Sequence, residues 1–460
     1  MSFFYEAHYS EPSRYTTAIF LILCAMPILT TLLFGGVDAI SLGILSLLVG
    51  IIVCLWMAES LRSGAFRFSN HPLLLPLLVL IALGSIQLLP FGDPGVSPGV
   101  LSTEATRALS LDAFATRFFI INLCVCSVFF AAAFTFIDSK KRARRVTYVV
   151  AIFGSVIAFF GVLQRLADPE GIYGMRPTPQ AISFGPFVNQ HHFAAMMELT
   201  AGLVLGLLLG SGLKRDRKAF LLIAAILMSI ALFFTGSRGG VISFAGVIAF
   251  VTAATYFLPA KKNTGRRGQE TDPKIHRLVF LTAAVVLSLL VIGLVFYLGA
   301  GDSLLRGFGF QEQNVDVSSG RIHIWKTGID IFLANPLIGT GLDTFGTAFS
   351  RFDTNSGAFR IEQAHNDYLQ MLTDGGIIGF GCVAVFIWLL FSNGIRAVAR
   401  STDPLVRSMR IGALAGCLGI AIHSFFDFPL RTPSNALFFL LLAVLATNGA
   451  IDEDHGPLTH

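Results

Sequence analysis

Residues 39–58 read AISLGILSLLVGIIVCLWMA, twenty consecutive residues without a charge. A helix of about 20 mostly apolar residues is what the hydrocarbon thickness of a bilayer demands. In a soluble domain such a helix would need burial on every side, and this chain has too little polar surface to cover it. Of its 460 residues 54% are hydrophobic and 13% charged, against roughly 25% charged in an ordinary globular protein. Mean hydropathy is +0.71. Disordered, collagen-like and coiled-coil classes are excluded on the same grounds.

Comparable apolar runs occur at 16–35, 73–90, 114–137, 146–166, 192–212, 219–235, 240–258, 278–298, 375–394, 408–426 and 435–449. With 39–58 they make about twelve spans, an all-α polytopic membrane bundle with a long external loop. No segment alternates with the period of a membrane β-strand. Phe is abundant at 43 residues and Trp scarce at 3, which suits lipid-facing helix surface. The six cysteines lie inside apolar runs, where they read as small packing residues rather than a disulfide framework. Cys124 and Cys126 point apart on a helix, so they form no metal clip.

Lys and Arg fix the orientation. With both termini in the cytoplasm, 22 of the 33 basic residues fall on the inner side, including seven of eight lysines. The other face keeps Arg107, Arg117, Arg165, Arg176, Arg238, Arg306, Arg321, Arg351, Arg360 and Arg431, together with Lys326. Topology does not require these arginines. They serve either as interface anchors and ion-pair partners or as bidentate holders of phosphate and carboxylate. The polar mass is also external, in segments 91–113, 167–191 and above all 299–374. The first 15 residues lack the basic region of a cleaved signal peptide, and no repeat of 20–50 residues occurs. Three parts follow: N-terminal spans over 1–190, a core over 191–435, and a last span with its tail over 436–460.

Four external constellations carry polar chemistry. Asn189-Gln190-His191-His192 enters the sixth span, where Asn189 either caps the helix or, with His191, binds a ligand. Thr235-Gly236-Ser237-Arg238-Gly239-Gly240 is a tight inter-helix turn whose Gly and Ser are structural. Arg238 either snorkels to lipid phosphate or binds an anionic substrate. Residues 318–333 form an amphipathic surface helix opened by Arg321, with an apolar stripe at Ile322, Trp325, Ile329 and Phe332. The run Ala364-His365-Asn366-Asp367-Tyr368-Leu369 puts His365 on a helical face with Leu369 and Leu372. An imidazole there can take a proton from a hydroxyl. Asp427 and Arg431, four apart in the last external segment, suit an ion pair.

The external loops hold no Asp-x-Asp pair, no HExxH occurs, and no cytoplasmic segment carries a P-loop. Glu198 is the main carboxylate within a span.

Gly-Ser-Arg-Gly-Gly, then Ser-Gly-Arg-x-x-x-Trp, then Ala-His-Asn-Asp-Tyr-Leu-Gln with Gly-Gly shortly after, resembles in that order the O-antigen ligase superfamily. Its members include O-antigen ligases, O-antigen and exopolysaccharide polymerases, and protein O-oligosaccharyltransferases. The resemblance covers roughly residues 185–435. It implies transfer of an undecaprenyl-diphosphate-linked glycan to an acceptor hydroxyl on the periplasmic face of the bacterial inner membrane. The acceptor is another glycan or a lipid A–core, and no metal or nucleotide cofactor is needed. By the same resemblance, Arg238 and Arg321 grip the diphosphate and His365 acts as base or positions the acceptor. Asn366, Asp367 and Tyr368 orient His365 or hold sugar, and Arg431 is a further phosphate contact. Polymerase and ligase stay open, with a lean to polymerase from the segment 423–433. A transporter or flippase of lipid-linked glycan is the competing class. It calls for charges lining the spans and internal pseudo-symmetry, neither of which the sequence displays.

Overall fold

The computed structural model describes residues 13–91, 108–167, 171–179, 181–210, 212–257, 321–354 and 361–452. These residues form helices and no named strand. In order they are α1 (Arg14–Leu32), α2 (Ala39–Ser63), α3 (Leu74–Gln87), α4 (Ala113–Phe136), α5 (Lys140–Ala167), α6 (Gln190–Leu209) and α7 (Arg215–Phe234). Then come α8 (Arg238–Phe257), α9 (Arg321–Ala334), α10 (Phe345–Phe352), α11 (Asp367–Arg400), α12 (Pro404–His423) and α13 (Pro433–Thr447). Nine of these are long and apolar enough to cross a membrane. The all-helical, multi-pass architecture expected from the sequence is present. The expected span 278–298 lies outside the described residues.

Two helices form the axis. The best membrane-crossing windows of α6 and α12 are 89% and 78% buried, against 28% for α2. Their sequences explain the difference. Gly202 and Gly206 on α6 face Gly416 and Gly412 on α12, each pair spaced by four residues. A Cβ on Gly206 would stand 2.3 Å from the Gly412 Cα. Without side chains the backbones approach closely, and van der Waals contact holds them where lipid offers no hydrophobic drive. Helices α5, α7, α8, α11 and α13 pack directly on this pair, and the bundle leaves large apolar residues such as Ile40, Leu47, Phe114 and Phe220 exposed.

Two expected spans are shorter than a bilayer. α3 has 14 residues and α13 has 15, about 21–23 Å at the helical rise. α13 is an interior helix, buried over nearly its whole length. Pro433 starts it, and Asn448 ends it by donating its Nδ2 to the Phe134 and Ile137 carbonyls at the end of α4. Nearby, the fully buried Arg410 donates to the Ala397 and Asn448 carbonyls, to Ser401 and to Asp452. Although it belongs to the basic set that orients the chain, it ties the C-terminal ends of α11 and α13 together.

Three local expectations are corrected. Residues 367–374 and the span after them are one helix, α11, broken at Gly376 (φ +61°). Only glycine tolerates that break, because a Cβ there would meet the Leu337 carbonyl at 2.3 Å. The loop 335–344 docks into it: Thr340 N–H bonds the Thr373 carbonyl and Gly341 N–H the Asp374 carbonyl. The Gln87 side chain staples both from α3, donating to Ile338 and Asp374 carbonyls and accepting from Leu342 N–H. Second, the buried stripe of α9 is Ile324, Thr327, Gly328 and Ile331, while Ile322 and Ile329 are exposed. The stretch Ile-His-Ile-Trp offers two apolar faces at helical spacing, and packing of Ile324 and Ile331 on Phe345, Ala348 and Phe349 of α10 selects the second. Third, His365 is not on the α11 face. It precedes the helix, with φ +49°, and Asn366 is the N-cap.

Candidate functional site at one end of the bundle

The sixth-span entry, the Ser-Arg-Gly-Gly turn, the start of α9 and the start of α11 converge where α6 begins and α12 ends. The Ser237 hydroxyl accepts from Gly240 N–H and so caps α8, which makes Arg238 its first residue. Gly239 is glycine because a Cβ would meet Phe426 at 2.9 Å and the His423 ring at 3.2 Å. His191 Nδ1 lies 2.9 Å from Ser237 Oγ, joining the α6 entry to this turn. Asn189 accepts from His191 N–H and so caps α6.

Arg321 opens α9. The helix is fixed by Trp325 Nε1, which donates to the Ala364 carbonyl at 2.9 Å, and by Gly328 packed on Leu369. These contacts bring Arg321 toward the start of α11. Burial lowers the Arg321 pKa, nearby Asp427 raises it, and nearby Arg238 lowers it again. Two arginines and one carboxylate therefore feel one another's charge across segments 238, 321 and 427. His191 lies in the electrostatic range of Asp427, Arg321 and His365.

His365 Nδ1 is 3.2 Å from Asp427 Oδ1. The His365 side chain is 35% exposed and that of Asp427 only 2%. The ring also rests on Phe428, with centroids 5.1 Å apart. Burial alone pushes the Asp427 carboxyl upward. The His365 hydrogen bond, with His191 and His192 nearby, outweighs burial and holds it well below the usual carboxylate range. An ionised carboxylate only accepts, so the His365 nitrogen facing it, Nδ1, is the one that carries a proton. Asp427 Oδ2 is buried without a hydrogen-bond partner among the described residues.

The three residues after His365 are held by hydrogen bonds of their own. Asn366 accepts from Tyr368 and Leu369 N–H at 3.1 Å, capping α11. Asp367 accepts from Ser424 Oγ, and its N–H donates to the Ser424 carbonyl. Tyr368 OH donates to the Ala421 carbonyl at 2.6 Å. Asp367 and Tyr368 lash the start of α11 to the end of α12.

Arg431 does not pair with Asp427. Residues Pro429–Arg431 form a separate 3-10 turn after α12, so helical i,i+4 spacing does not apply. Instead Arg431 pairs with Asp343 and with Asp374 at 3.2 Å, and lies 4.0 Å from Asp367. Burial lowers its pKa, and the three carboxylates more than reverse this, raising it. These pairs tie loop 335–344 and α11 to the 3-10 turn. Arg176, another of the external arginines, pairs with Asp38 and stacks over Phe34.

Sequence reasoning missed two partners. Asp427 was given to Arg431 by its spacing. Glu198 is fully buried and bonded to His423 at 2.8 Å, an interior pair on α6 and α12. His192 is buried as well, its Nδ1 2.7 Å from the Thr432 hydroxyl.

A family model described as O-antigen ligase matches residues 223–384. That range contains Arg238, Arg321 and His365. The exopolysaccharide production protein ExoQ of Rhizobium meliloti (strain 1021) is 24% identical over 176 residues. The alignment spans 37% of this chain and 38% of that protein. Across the segment that carries the Ser-Arg-Gly turn, Arg321 and His365, this polytopic helical membrane protein is therefore similar to the O-antigen ligase and polymerase superfamily, as the order of its motifs indicated.

Proposed function

We propose that the protein is a membrane glycan transferase. It moves an undecaprenyl-diphosphate-linked oligo- or polysaccharide onto an acceptor hydroxyl at the periplasmic face of the inner membrane. The observation that carries this is the gathering of Arg238, Arg321 and the His365–Asp427 pair at one end of the bundle.

Asp427 holds His365 with Nδ1 protonated and Nε2 facing the acceptor. As the acceptor oxygen bonds to the anomeric carbon, its proton passes to Nε2. The bond from that carbon to the diphosphate oxygen breaks, and its electron pair leaves with undecaprenyl diphosphate. Attack comes from the face opposite the leaving group, so the anomeric centre inverts. Arg238 and Arg321 bind the diphosphate and stabilise the charge that grows on it. The diphosphate is already a good leaving group, so the step runs without a metal. Asp427 stabilises the imidazolium formed, and the proton is then lost to water.

Similarity to a protein named for exopolysaccharide production supports polymer assembly over ligation to a lipid A–core. The test uses purified protein in proteoliposomes with a lipid-diphosphate-linked glycan. Longer glycan should appear with one undecaprenyl diphosphate released per bond formed, unchanged by EDTA. Glycan crossing the bilayer with no new bond would assign the protein to the transporter class instead.

A further inference from the structure

The end of the bundle away from His365 carries a second polar constellation. α6 runs from the candidate site at Gln190 to Leu209, and α12 runs back from Pro404 to His423. Twenty residues of helix span about 30 Å. At the far end lies a cavity of about 270 Å³ between the start of α5, the end of α6 and the start of α12. Its lining is divided. Lys140, Lys141, Arg144 and Tyr148 supply one wall, and Leu207, Leu405, Val406 and Met409 the other.

The cations are placed against local electrostatics. α5 opens with Lys140, Lys141 and Arg142 and has no acidic residue in its first turn. A helix N-terminus is the positive end of the macrodipole, where anions are favoured and cations are not. Arg142 is answered by Asp138 at 3.2 Å, and Lys140 has Asp403 at 3.8 Å. Lys141 and Arg144 are exposed and form no ion pair among the described residues. The lining carboxylate, Asp403, is already committed to capping α12, accepting from Leu405 and Val406 N–H. Tyr148 OH accepts from Arg217 at 3.3 Å, which adds a cation at the rim and leaves the phenolic hydrogen to donate.

We propose that this cavity binds the phosphate headgroup of an anionic membrane lipid. Lys141, Arg144 and Tyr148 take the phosphate oxygens, and the upper acyl carbons lie along the apolar wall at its partly exposed Leu405. Phosphate is the ligand chemistry that two adjacent cations and a phenol fit. The apolar wall beside them, on helices that cross the membrane, selects a lipid over a free anion. Basic pockets between spanning helices take such headgroups. The site is independent of the glycan chemistry at the other end.

The test is native mass spectrometry and thermal denaturation of the detergent-solubilised protein, titrated with phosphatidylglycerol, phosphatidylcholine or inorganic phosphate. Wild type should retain one phosphatidylglycerol and melt higher with it, and should respond to neither other probe. The double variant Lys141→Ala/Arg144→Ala should lose phosphatidylglycerol affinity at least tenfold while melting as wild type without lipid. Equal retention by the variant would overturn the proposal. So would an equal response to inorganic phosphate, which points to a free-anion site. A variant that melts lower without lipid would also overturn it, because the cations would then be holding the fold.

Discussion

His365 and Asp427 lie 62 residues apart in the chain and within hydrogen-bond distance in the fold, Nδ1 to Oδ1 at 3.2 Å. One side chain is partly open and the other almost wholly enclosed. A buried acceptor behind a partly exposed imidazole fixes which nitrogen carries the proton. Asp427→Asn keeps the shape and removes the charge. We expect kcat to fall about 10²-fold or more, with the protein still folded, in a glycan-transfer assay. The carboxyl is held below its usual range, so its stabilising contribution is complete above about pH 4 and is lost only as pH falls through the lowered folded value. Between pH 5 and 8 the effect of Asp427→Asn should therefore not vanish.

Arg321 tests the diphosphate contact separately from charge. Lys retains the charge but loses the planar fork that meets two oxygens at once. Arg321→Lys should reduce kcat/KM by about 10-fold or more, roughly one bidentate hydrogen bond's worth. Full activity in that variant would reduce the residue to a point charge.

Arg431 is predicted to behave as a structural residue. Removing it leaves Asp343, Asp374 and Asp367 without their shared cation. Breaking a buried pair from one side costs about 3–5 kcal/mol. Arg431→Ala should melt well below wild type in detergent, and what remains folded should bind the lipid-linked donor normally. A stable variant with weakened donor binding would return Arg431 to the phosphate role.

The helix axis gives a paired test. Gly206→Val forces a side chain against the Gly412 backbone, whereas Gly50→Val meets nothing within 4 Å. We expect the first to cost about 1–3 kcal/mol or more by overpacking and to reduce folded protein sharply. The second should be near neutral. Thermal denaturation of both variants beside wild type separates the two outcomes.

The spans were legible because a bilayer asks one simple thing of a sequence, a long apolar helix. The turn at Gly236–Gly240 was legible because its glycines and serine have steric and capping reasons. The partners were not. Asp427 sits four residues before Arg431, and spacing alone joins them. Only the docking of α11 onto the end of α12, through Asp367 and Tyr368, sends Asp427 to His365 and leaves Arg431 to three carboxylates from elsewhere. Glu198 and His423 are 225 residues apart, and no local pattern connects them. The rotation of α9 escaped for another reason: its sequence allows two faces, and a tertiary contact chooses.

The central claim is that Arg238, Arg321 and His365 serve one reaction. Its most direct test is the product ladder formed from a lipid-diphosphate-linked glycan by Arg238→Ala, Arg321→Ala and His365→Ala, each reconstituted at wild-type levels. We predict no chain growth in any of the three, with wild-type melting behaviour. Ladders of normal length and yield from all three variants would contradict it.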